Sequence, residues 1–212
     1  MILLKLLSVL TFILMIFMNY LANALPLGGN TTGDISGKYP TLFTPAGYTF
    51  SIWGLIYLLI TIFVVMIFVN VDQTITKNAN LILILFSVVN IFNILWLWSW
   101  HHDKILLSTI LMLALLLSLL FLLTQVPKDN MLTYATFSIY AAWICVATIA
   151  NLAILISKYD ILFFMNNEYV WFYIVLAFSF VLALFMVIKE KNLYFGAVFL
   201  WAYIGILSKF IK

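Results

Sequence analysis

The chain has 212 residues, of which 67% are hydrophobic, 17% aromatic and only 8% charged, a composition too oily for a surface that faces water on all sides. It is that of an integral membrane protein, and it excludes a nucleic-acid binder: the ten basic residues are all lysines, scattered among seven acids, so no dense cationic face can form. The single cysteine, Cys145, lies in an apolar run, where it acts as a small hydrophobe and carries no information on redox compartment.

A helix crossing roughly 30 Å of hydrocarbon needs about 20 mostly apolar residues, so length and the gaps between charges locate the spans. Seven are predicted, over 2–22, 50–70, 80–100, 104–126, 132–156, 169–188 and 193–211. The odd number puts the two termini on opposite sides. Lys5, an apolar stretch and "ANA" at 22–24 also resemble a signal peptide. The stretch exceeds the usual ~7–15 residue core, and Asn19 and Tyr20 interrupt its end, so a spanning helix is the preferred reading.

Residues 25–49 are dense in Gly, Pro, Thr and Ser and form a loop outside the hydrocarbon. Thr44 suits an N-cap of the second helix and Pro45 its first position, where the missing N–H costs nothing. Asn30-Thr31-Thr32 fits a glycosylation sequon, but the match is short and common, and we expect it to be unused. Lysines 5, 77, 128, 189 and 191 fall on one side and 38, 104, 158, 209 and 212 on the other, so no positive-inside bias sets the orientation.

Ionisable groups inside spans usually mark proton relays or ion-coupled carriers. Here Asp34, Asp72, Asp103, Asp129, Asp160, Glu168 and Glu190 all fall in connections or at helix ends, so such chemistry and paired-carboxylate hydrolysis lack their reagents. No span holds a metal-ligand cluster. His101 and His102 are adjacent, so their side chains diverge; interfacial solvation is the expected role, with a ligand contact at the mouth as the alternative. A retinal protein is set aside because Lys209 sits too near the chain end and the third span has no acid.

What the interior offers is neutral polarity and aromatic surface. Trp53 and Tyr57 are four apart on the second span; Asn90, Asn93, Trp96 and Trp100 recur along the third; Tyr140, Trp143, Thr148 and Asn151 lie on the fifth, with Trp143 and Asn151 on one stripe. The fourth span is nearly pure leucine. The pattern implies that the second, third and fifth spans face protein or a cavity and that the fourth faces lipid. Trp98, Trp171 and Trp201 read as interfacial belt or packing residues, and Asn90 as an interhelical hydrogen bond. For Trp53 and Trp143, packing and ligand contact both stay open.

"FTPAGYTFSIWGLIYLL" resembles the entrance of the second helix in the TspO/MBR family, the tryptophan-rich sensory proteins that include the mitochondrial translocator protein. "NIFNILWLW" resembles that family's third-helix Asn-x-x-Trp region and "YAAWICVATIAN" its fifth-helix stripe, so the likeness covers roughly residues 1–157. It implies an all-α, polytopic fold: a five-helix bundle over 1–157 with a lid at 25–49, followed over 158–212 by two further spans that short members lack. It also implies a cavity that takes porphyrins or other tetrapyrroles, sterols and similar hydrophobic ligands, with no obligatory cofactor. By position, Trp53 and Trp143 would wall that cavity, Asn93 and Trp96 line it, Tyr57 lie deeper and Asn151 share the Trp143 stripe. Pro45 and Gly47 would shape the turn from lid into helix, Tyr48 would belong to the lid, and Lys38 or His101 would offer a polar rim.

Sensor, carrier or stress regulator is the role the resemblance implies, with transport of the ligand or light-dependent porphyrin breakdown as alternatives. No residue presents itself as an acid, base or nucleophile for the last. The expected partners are the ligand, the bilayer and a second copy in a homodimer, not nucleic acid; the expected location is a bacterial cell membrane.

Overall fold

The computed structural model describes residues 2–69 and 78–211. Lys77, Asp72, Lys212 and the last residue of the span expected at 50–70 lie outside this set. Among the described residues every regular element is helical. The long helices are α1 (Ile2–Ala24), α3 (Ile52–Val69), α4 (Ala79–His101), α5 (Ile105–Gln125), α6 (Met131–Lys158), α8 (Glu168–Ile188) and α9 (Leu193–Leu207); α2 (Thr32–Lys38) and α7 (Leu162–Met165) are short. A 3₁₀ turn, Gly47–Ser51, leads directly into α3. Among the described residues, six apolar helices of 21 to 28 residues are long enough to cross a membrane, counting Gly47–Val69 as one. The last, α9, has 15 residues and stops at Leu207, short of the expected 211. At 1.5 Å per residue it reaches about 22 Å, less than the hydrocarbon thickness.

Helices α1, α4, α5, α6 and α3 close on one another in that order, each packing on the next, and α3 returns to α1. Outside this ring α9 lies on α6, and α8 lies on α9. Away from the lid, Phe63, Phe86 and Phe137 from α3, α4 and α6 meet edge to face with centroids 4.9 to 6.0 Å apart, each fully buried. Each such pair adds about 0.5–1.5 kcal/mol beyond its buried area, so this end is a solid aromatic plug. Beside it, Lys5 Nζ donates to the Ile67 carbonyl (2.9 Å) and lies over Phe68. A cation thereby satisfies an orphan carbonyl at a helix C-terminus.

The leucine-rich fourth span, α5, does not simply face lipid. Ser108, Met112, Leu115, Leu119 and Leu122 form a buried stripe against α4 and α6, while Leu106, Ile110, Leu117 and Phe121 point outward. Leucine packs as well against protein as against acyl chains, so composition alone could not assign the face. The most outward helix is α8, where only Phe172, Ser179 and Ala183 are buried.

Candidate functional site

The lid-side half of the ring carries the polar interior. Tyr57 Oη on α3 donates to Asn19 Oδ1 on α1 (2.6 Å), Asn19 Nδ2 donates to Asn93 Oδ1 on α4 (2.8 Å), and Asn93 Nδ2 donates to Tyr140 Oη on α6 (3.0 Å). One uninterrupted chain of neutral groups thus ties four helices. The Trp53 ring, partly exposed, stacks on Tyr57 (centroids 5.5 Å apart, planes 23°) and meets Tyr140 edge-on at 5.9 Å. Trp143 is 1% exposed, with Phe50 from the 3₁₀ turn edge-on at 5.7 Å. Trp96 is buried 6.4 Å from Trp100, which in turn lies beneath the lid residue Ile35.

Among the described residues, Trp96 Nε1 and Trp143 Nε1 are buried without an acceptor. An unpaired buried donor costs about 1–3 kcal/mol, and most buried indoles find a partner. The interior therefore holds aromatic rings packed on one another and two indole donors left without an acceptor. Among the described residues it holds no carboxylate, and its histidine is already engaged.

Of the expected cavity residues, Trp53, Tyr57 and Asn93 are brought together, and Trp96 and Trp143 lie in the same buried core. Asn151 is instead held on both sides by α5: it accepts from Thr109 Oγ1 (2.6 Å) and donates to Ser108 Oγ (3.0 Å). Asn90 donates to Thr11 Oγ1 (3.2 Å), an α1–α4 bond. Asn19 and Tyr140 complete the polar chain, yet the sequence shows Asn19 only as an interruption in an apolar run and Tyr140 as one member of a stripe. An amide inside an apolar span was the available signal for Asn19.

The lid is more ordered than a bare loop. Thr31 and Asp34 form a capping box, with Thr31 N–H donating to Asp34 Oδ2 (2.7 Å) and Asp34 N–H to Thr31 Oγ1 (3.2 Å). The Asp34 carboxyl is accordingly held below its ordinary value by the Thr31 backbone and hydroxyl donors. Gly28, at φ 60°, comes so close to the His101 carbonyl that a Cβ would lie 2.9 Å from it. Asn30 Nδ2 donates to the same carbonyl (3.1 Å), so the sequon amide is engaged.

His101 is not solvated at the interface. It is fully buried, with Nδ1 beside the Leu97 carbonyl (2.8 Å) and Nε2 beside the Ala22 carbonyl (3.2 Å) and Thr32 Oγ1 (3.1 Å). The lid lies across it and excludes water. His102, its neighbour, is the exposed one and stacks on Trp98 at 4.4 Å. Lys38 turns to Asp103, which also receives Lys158 (2.8 Å) and the Tyr39 hydroxyl (3.0 Å). Partial burial alone would raise the Asp103 carboxyl, but Lys158, Lys38 and Tyr39 outweigh it and hold the group below its ordinary value. The same contact with Asp103, aided by Tyr39, raises Lys38.

At the helix entrance Pro45 is buried and Tyr48 is 49% exposed. The Thr44 hydroxyl does not cap α3; it pairs with Thr41 Oγ1 (3.0 Å), and the helical run starts with the 3₁₀ turn after Ala46. No side-chain cap is needed for Ala46 N–H because the Gly205 carbonyl accepts from it at 3.0 Å. Gly47 has no close neighbour that a Cβ would meet, so the turn does not require glycine there.

A ring of long apolar helices, aromatic and neutral-polar on the inside and roofed by a structured loop, defines an integral, multi-pass helical membrane protein. The family model of TSPO-like proteins matches residues 5–211, and the chain belongs to this TspO/MBR family. The match runs through α8 and α9, beyond the region in which the motifs are visible. No curated protein and no solved structure matches the chain.

Proposed function

We propose that the protein binds a flat, hydrophobic ligand of the tetrapyrrole or sterol-like class within the lid-side half of the ring, in a bacterial cell membrane, and acts as a sensor, carrier or stress regulator. The observation that carries this reading is the pair of buried indole donors, Trp96 Nε1 and Trp143 Nε1, that meet no acceptor among the described residues, beside the Tyr57–Asn19–Asn93–Tyr140 chain. A ligand carboxylate or carbonyl would satisfy them, while Trp53, Tyr57 and Tyr140 would supply stacking surface. The absence of a free acid or base in that interior, among the described residues, favours binding over chemistry.

Titration with protoporphyrin, followed by tryptophan fluorescence in detergent or nanodiscs, tests the reading. Saturable quenching is expected, with affinity falling at least tenfold in Trp143→Leu and in Trp53→Leu. Non-saturating quenching that both variants share would sink it. Proteoliposomes loaded with porphyrin separate binding from transport, since protein-dependent efflux is the signature of transport. Illumination of the complex, compared with a protein-free control, separates binding from light-dependent breakdown.

A further inference from the structure

The two halves of the lid are fastened to different parts of the molecule, on either side of Pro40. The first half is held by the ring: Ile35 packs on Trp100, Ile105 and Ile154, and Lys38 and Tyr39 reach Asp103 in the turn between α4 and α5. The second half is held by α9 and the residues just after it. Lys209 Nζ donates to the carbonyls of Thr44 (2.7 Å) and Thr41 (3.3 Å), and Trp201 Nε1 donates to the Thr49 carbonyl (2.9 Å). Ala46 N–H donates to the Gly205 carbonyl (3.0 Å), one of the orphan acceptors in the last turn of α9. Tyr48 sits edge-on to Trp201 (5.7 Å), and its hydroxyl donates to Ser208 Oγ (3.2 Å).

The approach is close enough to demand glycine. A Cβ on Gly205 would lie 2.1 Å from Thr49 Oγ1, and Thr49 is fully buried. Helix α9 is also too short to cross the hydrocarbon alone, so its spanning capacity does not account for its position. Its C-terminal turn ends against the segment that carries Phe50 onto Trp143 and Trp53 onto Tyr57 and Tyr140.

We propose that α9 is a latch on the lid: by gripping residues 41–51 through Gly205, Trp201 and Lys209 it holds the entrance of α3 closed and sets the rate at which a ligand enters beneath. The purpose of the latch rests on the binding reading given above; its existence does not, and the two are tested by separate measurements. Hydrogen–deuterium exchange of the intact protein in nanodiscs reads the latch without any ligand. Gly205→Val, which drives side-chain atoms into Thr49, and the milder Trp201→Phe, which removes one N–H donor and keeps an aromatic ring, should raise exchange across 41–51 by about tenfold and threefold. Exchange across 27–39 should stay within twofold. Trp201→Phe keeps the test decisive if Gly205→Val does not fold.

Stopped-flow mixing with protoporphyrin then reads entry, and the association rate should rise in parallel with exchange. Unchanged exchange at 41–51 in the folded variants overturns the latch. Raised exchange with an unchanged association rate overturns control of entry by α9. Raised exchange in a protein that binds no tetrapyrrole, wild type included, upholds the latch and removes the binding reading instead.

Discussion

Asn93 makes two of the three links of the polar chain, accepting from Asn19 and donating to Tyr140. Replacing it with leucine removes the acceptor of one Asn19 Nδ2 N–H, whose other N–H keeps the Met15 carbonyl (2.9 Å), and the donor to the buried Tyr140 hydroxyl, so Asn93→Leu should destabilise the protein by about 1–3 kcal/mol in thermal unfolding. Tyr57→Phe cuts only the outermost link and should cost about 0.6–1 kcal/mol, in line with hydrogen bonds between membrane helices. Equal, negligible losses would mean that the chain does not hold the helices together.

Asp103 supplies a pH test at the same scale. Its folded carboxyl lies below the ordinary value near 4, so its contribution is complete above that value and is lost as pH falls through the depressed one. Lys38 is raised, so its contribution is complete below about 10.4 and is lost as pH rises through the higher folded value. Once corrected for intrinsic exchange, protection of residues 27–39 should therefore be flat across neutral pH and fall below about pH 4. Asp34 in the Thr31 capping box is depressed in the same direction, so Asp103→Asn should shrink the acid limb, and only the double variant Asp103→Asn/Asp34→Asn should abolish it. A limb unchanged in Asp103→Asn would assign the loss to Asp34 alone.

Among the elements, the α5–α6 pair makes the clearest prediction. Asn151, Thr109 and Ser108 join these helices, so Asn151→Leu should lower stability by about 1–2 kcal/mol and leave tetrapyrrole affinity within twofold. A tenfold affinity loss at unchanged stability would return Asn151 to the binding site. The existence of the long helices was legible from apolar length and charge spacing, because the hydrocarbon thickness dictates both. Which face each helix buries was less so. Leucine-rich α5 buries a stripe as regular as any other, and its packed and lipid-facing positions carry the same side chains. The lid's grip on His101 and on Gly205 was illegible because it joins residues 71 and about 160 positions apart, and no local pattern encodes such pairs.

For the whole molecule, the ring places the Lys5 end of α1 with the C-terminus of α3 on one face, and the lid, the α4–α5 turn and Lys209 on the other. The even split of lysines does not say which face is cytoplasmic, but the two faces must differ. In a Cys145→Ala background, Asp129→Cys and His102→Cys should be labelled by an impermeant maleimide from opposite sides of sealed vesicles. Labelling of both from one side would refute the arrangement. Recognition of the family from three motifs within the first 157 residues was sound because those motifs fall on α3, α4 and α6, the helices that enclose the interior. The docking of α9 had no such motif, since glycine in an apolar helix is common and its contact is set by the lid.

The central claim is that a flat hydrophobic guest sits among indoles inside the ring, and photoaffinity labelling tests it most directly. A diazirine-bearing protoporphyrin, irradiated with the protein in nanodiscs and followed by mass spectrometry of the peptides, should insert within 53–57, 93–96 and 140–143, with labelling suppressed by excess unlabelled protoporphyrin. Insertion confined to outward residues such as Phe178 and Phe185 of α8, indifferent to competitor, would contradict it.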